Sequence, residues 1–167
     1  VSLDVRVEEI SESELPPVAY RWDADTEILS VILRSAGVAE GLTGSMDIEG
    51  ADGAWLMLEL TAGRLAAVEV AVWPDVKTVE PLVVPEAAGA ARIRVPSRDS
   101  QPGLAAVEVD TAIRAVADKA ERTIHFRIGP QRSTRALRVA KDLLVEVDGR
   151  SRIAGLWFLN VPPFPAS

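Results

Sequence analysis

The chain has no cysteine, one histidine and one tyrosine, and only 5% of its 167 residues are aromatic. Without cysteine there is no disulfide framework and no thiolate chemistry, and the redox compartment stays open. A lone histidine, His125, does not make a typical zinc site, and carboxylates alone favour calcium or magnesium, so no metal or cofactor is expected. No apolar run approaches the roughly 20 residues that span a bilayer, so no membrane association is expected. No basic-then-apolar leader opens the chain, which starts at Val1, so an initiator or longer leader stays open. Lysine is scarce, three residues against fifteen arginines, a composition that hints at a GC-rich bacterial genome. A basic surplus is missing too. The net charge is −7, and generic nucleic-acid binding needs excess Lys and Arg to neutralise phosphate. There is no G-x-x-x-x-G-K-[ST] phosphate loop, and aromatics do not interleave with the basic residues as single-stranded nucleic acid requires.

What is present suits a soluble, cytoplasmic globular domain: 48% hydrophobic and 26% charged residues. The length allows one ordinary domain or two small ones, with about two-thirds of the chain's surface buried on folding. Charge is unevenly spread, −11 over residues 1–80 and +4 over 81–167. Two halves of opposite sign are suited to dock on each other.

One hairpin pattern occurs twice. Leu56–Leu60, a turn at Thr61-Ala62-Gly63 and Arg64–Val70 correspond to Leu143–Val147, a turn at Asp148–Ser151 and Arg152–Phe158. A second pattern recurs 95 residues on, where Asp23–Leu33 matches Asp118–Ile128 without a gap. Strand alternation turns Leu29, Val31 and Leu33, like Ile124, Phe126 and Ile128, to the core, and leaves Thr123, His125 and Arg127 on a wetter face. Val18–Leu33 reads as a hairpin turning at Asp23–Thr26, and Leu3, Val5 and Val7 as one face of an N-terminal strand. The acidic stretch Glu8–Glu14 reads as a solvated loop. Residues 34–53 read as a Gly-rich loop holding one short edge strand at Met46 and Ile48, and 129–141 as its short basic counterpart.

Five prolines punctuate residues 74–103, which favours edge strands at Val79–Val84 and Ala91–Val95 over central ones. Leu104–Arg122 is ambiguous. Ile113, Val116, Ala117 and Ala120 have helical spacing, whereas the repeat aligns the stretch with a hairpin, and the hairpin is preferred. The expected fold is mainly β, or α+β if 104–122 is helical. Duplicated antiparallel hairpin units would pack as a pseudo-twofold sandwich or barrel. Residues 1–74 would form the first unit, 75–103 a connector and 104–167 the second, in one compact fold.

Each unit resembles a family of small bacterial domains of unknown function, with the pattern Y-D-x-x-x-D-x-L-Y-I, a variable loop, then V-x-D-x-D-x-x-G-R-L-V-G-I-E-I. The first unit supplies Asp23–Val31 and Gly63–Val70, and the second Asp118–Phe126, Glu146-Val147-Asp148 and Arg152–Leu156. The departures fall at polar positions: Glu27 and Arg122 for the second Asp, Ser30 and His125 for the Tyr, Trp157 for the late Glu, and Ala67 for the late Gly. The resemblance implies a mostly β domain and carries no activity with it.

Candidate chemistry is sparse, and no catalytic residue is assigned. Glu69 sits in an apolar strand, where burial would favour its neutral form unless a donor satisfies it. His125 lacks a sequence-adjacent nucleophile or acid. Together they are candidates for a pocket between the units. Arg127, Arg132, Arg135, Arg138 and Lys141 form a basic run suited to an anion or an acidic partner. Asp23, Asp25 and Glu27, with Asp47, Glu49 and Asp52, lack EF-hand spacing, and turn capping accounts for the first set. Trp22, Trp55, Trp73 and Trp157 read as core or interface anchors. The favoured function is a non-catalytic domain that binds a protein partner or another copy of itself. The alternative is an anion or small-molecule binder, or an enzyme, with a cleft between the repeats.

Overall fold

A computed structural model describes residues 3–33, 43–95 and 104–165. Parts of the Gly-rich loop (34–42) and of the connector (96–103) lie outside the described residues. The fold is mainly β, and a single 3-10 turn, Glu12–Glu14, is the only helical element among the described residues. One sheet holds β1 (Arg6–Glu9), β2 (Val18–Trp22), β3 (Leu29–Leu33), β4 (Thr43–Glu49), β5 (Trp55–Thr61), β6 (Arg64–Val72), β8 (Ala91–Arg94) and β9 (Leu104–Asp110). The other holds β7 (Val76–Thr78), β10 (Ile113–Ala117), β11 (Ile124–Ile128), β12 (Thr134–Ala140), β13 (Leu143–Asp148) and β14 (Ile153–Phe158).

Five strands in each sheet follow the same plan. In the first the spatial order is β2-β3-β6-β5-β4, and in the second β10-β11-β14-β13-β12, with all of these neighbours antiparallel. The registers agree as well. Ser30 lies opposite Glu69 where His125 lies opposite Trp157, and Val31 opposite Val68 where Phe126 lies opposite Leu156. A bulge falls at the same place in both closing hairpins. Leu60 faces Leu65 while Glu59 faces Ala67, and Val147 faces Ile153 while Glu146 faces Gly155, leaving Ala66 and Ala154 as the extra residues. The bulge realigns the alternation, so Leu65 and Val68, which a strict period of two would separate, are both buried.

The hairpin turns differ. Thr61 pairs with Arg64 across two residues that both have positive φ, Ala62 at 50° and Gly63 at 80°. That is a type I′ turn, whose twist matches the strands. The second turn is longer and closes with the Ser151 N–H donating to the Asp148 carbonyl, with Ser151 at φ 55°.

One apolar core runs through both sheets, from Leu29, Leu56, Leu58 and Val68 in the first to Phe126, Val145, Leu156 and Phe158 in the second. The alternation read for β3 and β11 holds: Leu29, Val31, Ile124, Phe126 and Ile128 are buried while His125 and Arg127 are half-buried. Strands are exchanged at the junction. β7 joins the second sheet by parallel pairing with β10, and β9 joins the first by parallel pairing with β4. Sheet membership therefore does not change cleanly at residues 74 or 103.

The preference for strands over a helix in 104–122 holds. Leu104–Asp110 form β9, and Ile113–Ala117 form β10, the first strand of a hairpin with β11. Ile113, Ala115 and Ala117 are buried in alternation with Arg114 and Val116, and pairing with β4 and β11 overrides the helical spacing. Several other local expectations need correction. Residues 129–141 are not all loop, since β12 fills most of them. β4 is paired on both sides and is not an edge. β8 lies between β1 and β6, because Pro85 and Pro96 flank it and remove no donor within it. Val79–Val84 forms no strand. It begins a strap across the second sheet, where Leu82 and Ala87 pack on Ala136, Leu144 and Trp157. Glu8 and Glu9 belong to β1 rather than to the acidic loop.

Candidate functional site

The outer face of the second sheet carries the densest chemistry. Arg127 on β11, Gly155 on β14 and Glu146 on β13 lie in one row, with Arg114 of β10 opposite Arg127. The adjacent row holds His125, Trp157 and Leu144. Residues directly opposite on neighbouring strands share a face, so these side chains meet over the sheet.

Gly155 makes the arrangement possible. His125 Nε2 and Glu146 Oε1 form a hydrogen-bonded pair that reaches across β14 from either side. A Cβ on residue 155 would sit in contact with Glu146 Oε1, 3.1 Å from His125 Nε2 and 2.9 Å from the Phe126 carbonyl oxygen. The Trp157 indole stacks on the imidazole with centroids 4.2 Å apart and planes at 25°. Thr134 donates its hydroxyl to the other carboxylate oxygen of Glu146 at 2.9 Å. Burial alone would raise the Glu146 pKa, but the hydrogen bond and charge of His125 and the Thr134 hydroxyl outweigh it and hold the group below its usual range. Trp157 Nε1 adds to this shift by proximity, without hydrogen-bonding geometry.

A second cluster closes the β13–β14 turn. Asp148 is buried and accepts from Arg132 Nε at 2.8 Å, Arg152 Nε at 3.1 Å and the backbone N–H groups of Arg150 and Arg152. Burial opposes ionisation, but the Arg132 hydrogen bond, the two backbone donors and the Arg152 charge hold the carboxyl well below the usual carboxylate range. Arg132 Nη1 also donates to the Ile128 and Pro130 carbonyls, so this guanidinium pins the 129–132 turn against β13.

Between the clusters lies a cleft of about 250 Å³ lined by His125, Arg127, Gln131, Arg132, Thr134 and Glu146. Three sequence candidates, His125, Arg127 and Arg132, come together here. The others do not line it. Arg135 is exposed on β12, Arg138 donates to the Lys141 carbonyl at 2.7 Å, and Lys141 is exposed with its backbone N–H on the Pro16 carbonyl. Glu69 lies in the other sheet, half-buried, and accepts from Ser30 Oγ at 3.3 Å. It is a bonded carboxylate whose donor is a serine. Sequence reasoning missed Glu146, Asp148, Thr134 and Gly155 as a group. Their signal was the Glu146-Val147-Asp148 and Gly155 pattern, read from the sequence only as part of the repeat and of the family resemblance.

Within the cleft Arg127 stands apart. Its Nε is buried and has no hydrogen-bond partner among the described residues. Among the described residues no group of three His, Cys, Asp or Glu is placed to hold a metal ion, and no helix is long and apolar enough to cross a membrane.

The fold and site define a two-sheet β protein with a histidine–carboxylate pair seated over a glycine. No family model matches the chain, and no curated protein matches it.

Proposed function

We propose that the protein is a non-catalytic binding domain whose second unit holds an anionic group, a carboxylate or phosphate, at Arg127 above Gly155. The carrying observation is the unpartnered Arg127 Nε in the wall of a cleft. A buried donor without an acceptor is costly, and a guanidinium fork suits a two-oxygen anion. Arg114 opposite it adds positive charge, and Arg132 fixes the cleft wall without being free to bind.

The order of groups argues against nucleophilic catalysis. In a nucleophilic triad the imidazole stands between hydroxyl and carboxylate. Here Glu146 stands between Thr134 and His125, so the imidazole makes no contact with the hydroxyl it would have to deprotonate. A carboxylate with a lowered pKa is also a weak base. Calorimetric titration of inorganic phosphate and succinate tests the reading. Wild-type protein should bind at least one of them and Arg127→Gln neither. Equal binding by both proteins would refute it.

A second reading is supported by a run of exposed apolar residues, Val72, Val76, Val79 and Val83, the last 76% exposed, beside the three-residue edge strand β7. Such a run suits a protein partner or a second copy of the chain. Sedimentation equilibrium of wild type and Val83→Lys over a concentration series tests it, with dimerisation lost in the variant. The shared strand order and bulge also support reading the two units as divergent copies of the small bacterial domain they resemble.

A further inference from the structure

A second hollow lies where the ends of the two units meet. Trp22 ends β2, Trp73 follows β6, and Phe164 belongs to the extended Pro162–Pro165 tail. The two indoles stack with centroids 5.7 Å apart and planes at 19°, and Phe164 meets Trp22 edge-on at 5.2 Å and 81°. Both indole N–H groups are spent on backbone carbonyls, Trp22 on Pro162 at 2.9 Å and Trp73 on Glu27 at 2.8 Å. What these rings offer a ligand is therefore π-surface and apolar edge. With Ile124 and Pro163 they line a hollow of about 470 Å³, in the range of small-molecule sites.

The polar groups on its rim are all of one sign. Glu27 and Glu121 line it, and among the described residues no Lys, Arg or His does. Both are exposed, and neither carboxylate has a hydrogen bond or ion pair with the described residues. They come from corresponding turns of the two units, and each has a left-handed backbone, φ 62° and 58°. The turns do not need these side chains, because Asp23 and Asp118 cap them by accepting backbone N–H groups. A glutamate at positive φ is disfavoured relative to Gly or Asn, so turn formation does not explain the choice.

We infer that this hollow binds an organic cation with an apolar or aromatic body, such as a primary or quaternary ammonium. The aromatic faces are electronegative and attract a cation, the two carboxylates add to that field, and the apolar walls take the body. An anion of the same shape is repelled. The inference does not rest on the Arg127 cleft.

The test titrates 2-phenylethylammonium, 2-phenylethanol and phenylacetate into the full chain while following the four indole N–H signals in ¹H–¹⁵N spectra. The ammonium should shift Trp22 and Trp73, leave Trp157 in place, and bind about tenfold more tightly than the alcohol, with phenylacetate weakest at these two signals. The exposed double variant Glu27→Gln/Glu121→Gln should bring the ammonium down to the alcohol's affinity and leave the alcohol unchanged. No shift with the ammonium, equal affinity for all three probes, or no effect of the double variant would overturn it.

Discussion

The two five-strand units share strand order, register and a bulge, yet only the second carries a histidine–carboxylate pair on its outer face. The difference comes down to a few positions. Gly155 corresponds to Ala67, His125 to Ser30, Trp157 to Glu69 and Asp148 to Thr61. Glu59 and Glu146 correspond, but Glu59 is exposed whereas Glu146 is hydrogen-bonded to His125 and Thr134. A common frame thus leaves its outer face free to vary. The missing Cβ at position 155 opens a route over β14 for two long side chains, and in the first unit Ala67 stands in that position.

Exchanging residues between corresponding positions tests how far this account goes. Gly155→Ala should have the largest effect. The added carbon meets the Phe126 carbonyl at 2.9 Å and displaces the His125–Glu146 pair, for a loss of about 3 kcal/mol in urea denaturation. The reverse change, Ala67→Gly, should cost only about 1 kcal/mol, because it opens no clash. Equal effects would erase the distinction between the units.

Asp148→Asn should follow, at about 2 kcal/mol, since two arginines lose a buried carboxylate. This loss should depend on pH. The folded-state pKa of Asp148 lies below its ordinary value of 3.8, so its contribution is complete above that value and fades as pH falls below it. Glu146 acts in the same direction below its own ordinary value of 4.5. Wild type should therefore lose stability more steeply than Asp148→Asn on acidification below about pH 4, measured by denaturation at a series of pH values.

Glu146→Gln should cost about 1 kcal/mol, because the pair is partly exposed and the amide retains part of the bonding. Glu59→Gln at the corresponding exposed site should change stability by less than about 0.5 kcal/mol. The smallest effect should be a gain. Ala62→Gly relieves a non-glycine residue at φ 50° in the type I′ turn and should stabilise by about 0.5 kcal/mol in the same assay.

Much of the frame was legible from residues. Alternation placed Ile124, Phe126 and Ile128 inside and His125 and Arg127 outside, and the two sequence alignments matched Ser30 with His125 and Glu69 with Trp157, positions that pair in the same register in the two units. Three things were hidden for physical reasons. Bulges at Ala66 and Ala154 break the period of two, so simple alternation cannot assign faces along the whole of β6 and β14. Parallel pairings such as β4–β9 join segments far apart in the chain and leave no local signature. The site itself needs Glu146 on β13 to reach His125 on β11, two strands away, and nothing in the spacing of 21 residues announces that. The basic run was misleading as a unit: β12 sets Arg135 opposite Val147, on the other face from Glu146, Arg138 donates to the Lys141 carbonyl, and Lys141 lies past the end of the strand.

The most direct test maps anion binding residue by residue. Backbone and indole ¹H–¹⁵N signals are followed as succinate or phosphate is added to the wild-type protein. The account predicts shifts at Gly155, Arg127 and the Trp157 indole, with none at Ala67, Ser30 or Glu69. Shifts of equal size at both sets of positions, or none at Gly155, would contradict it.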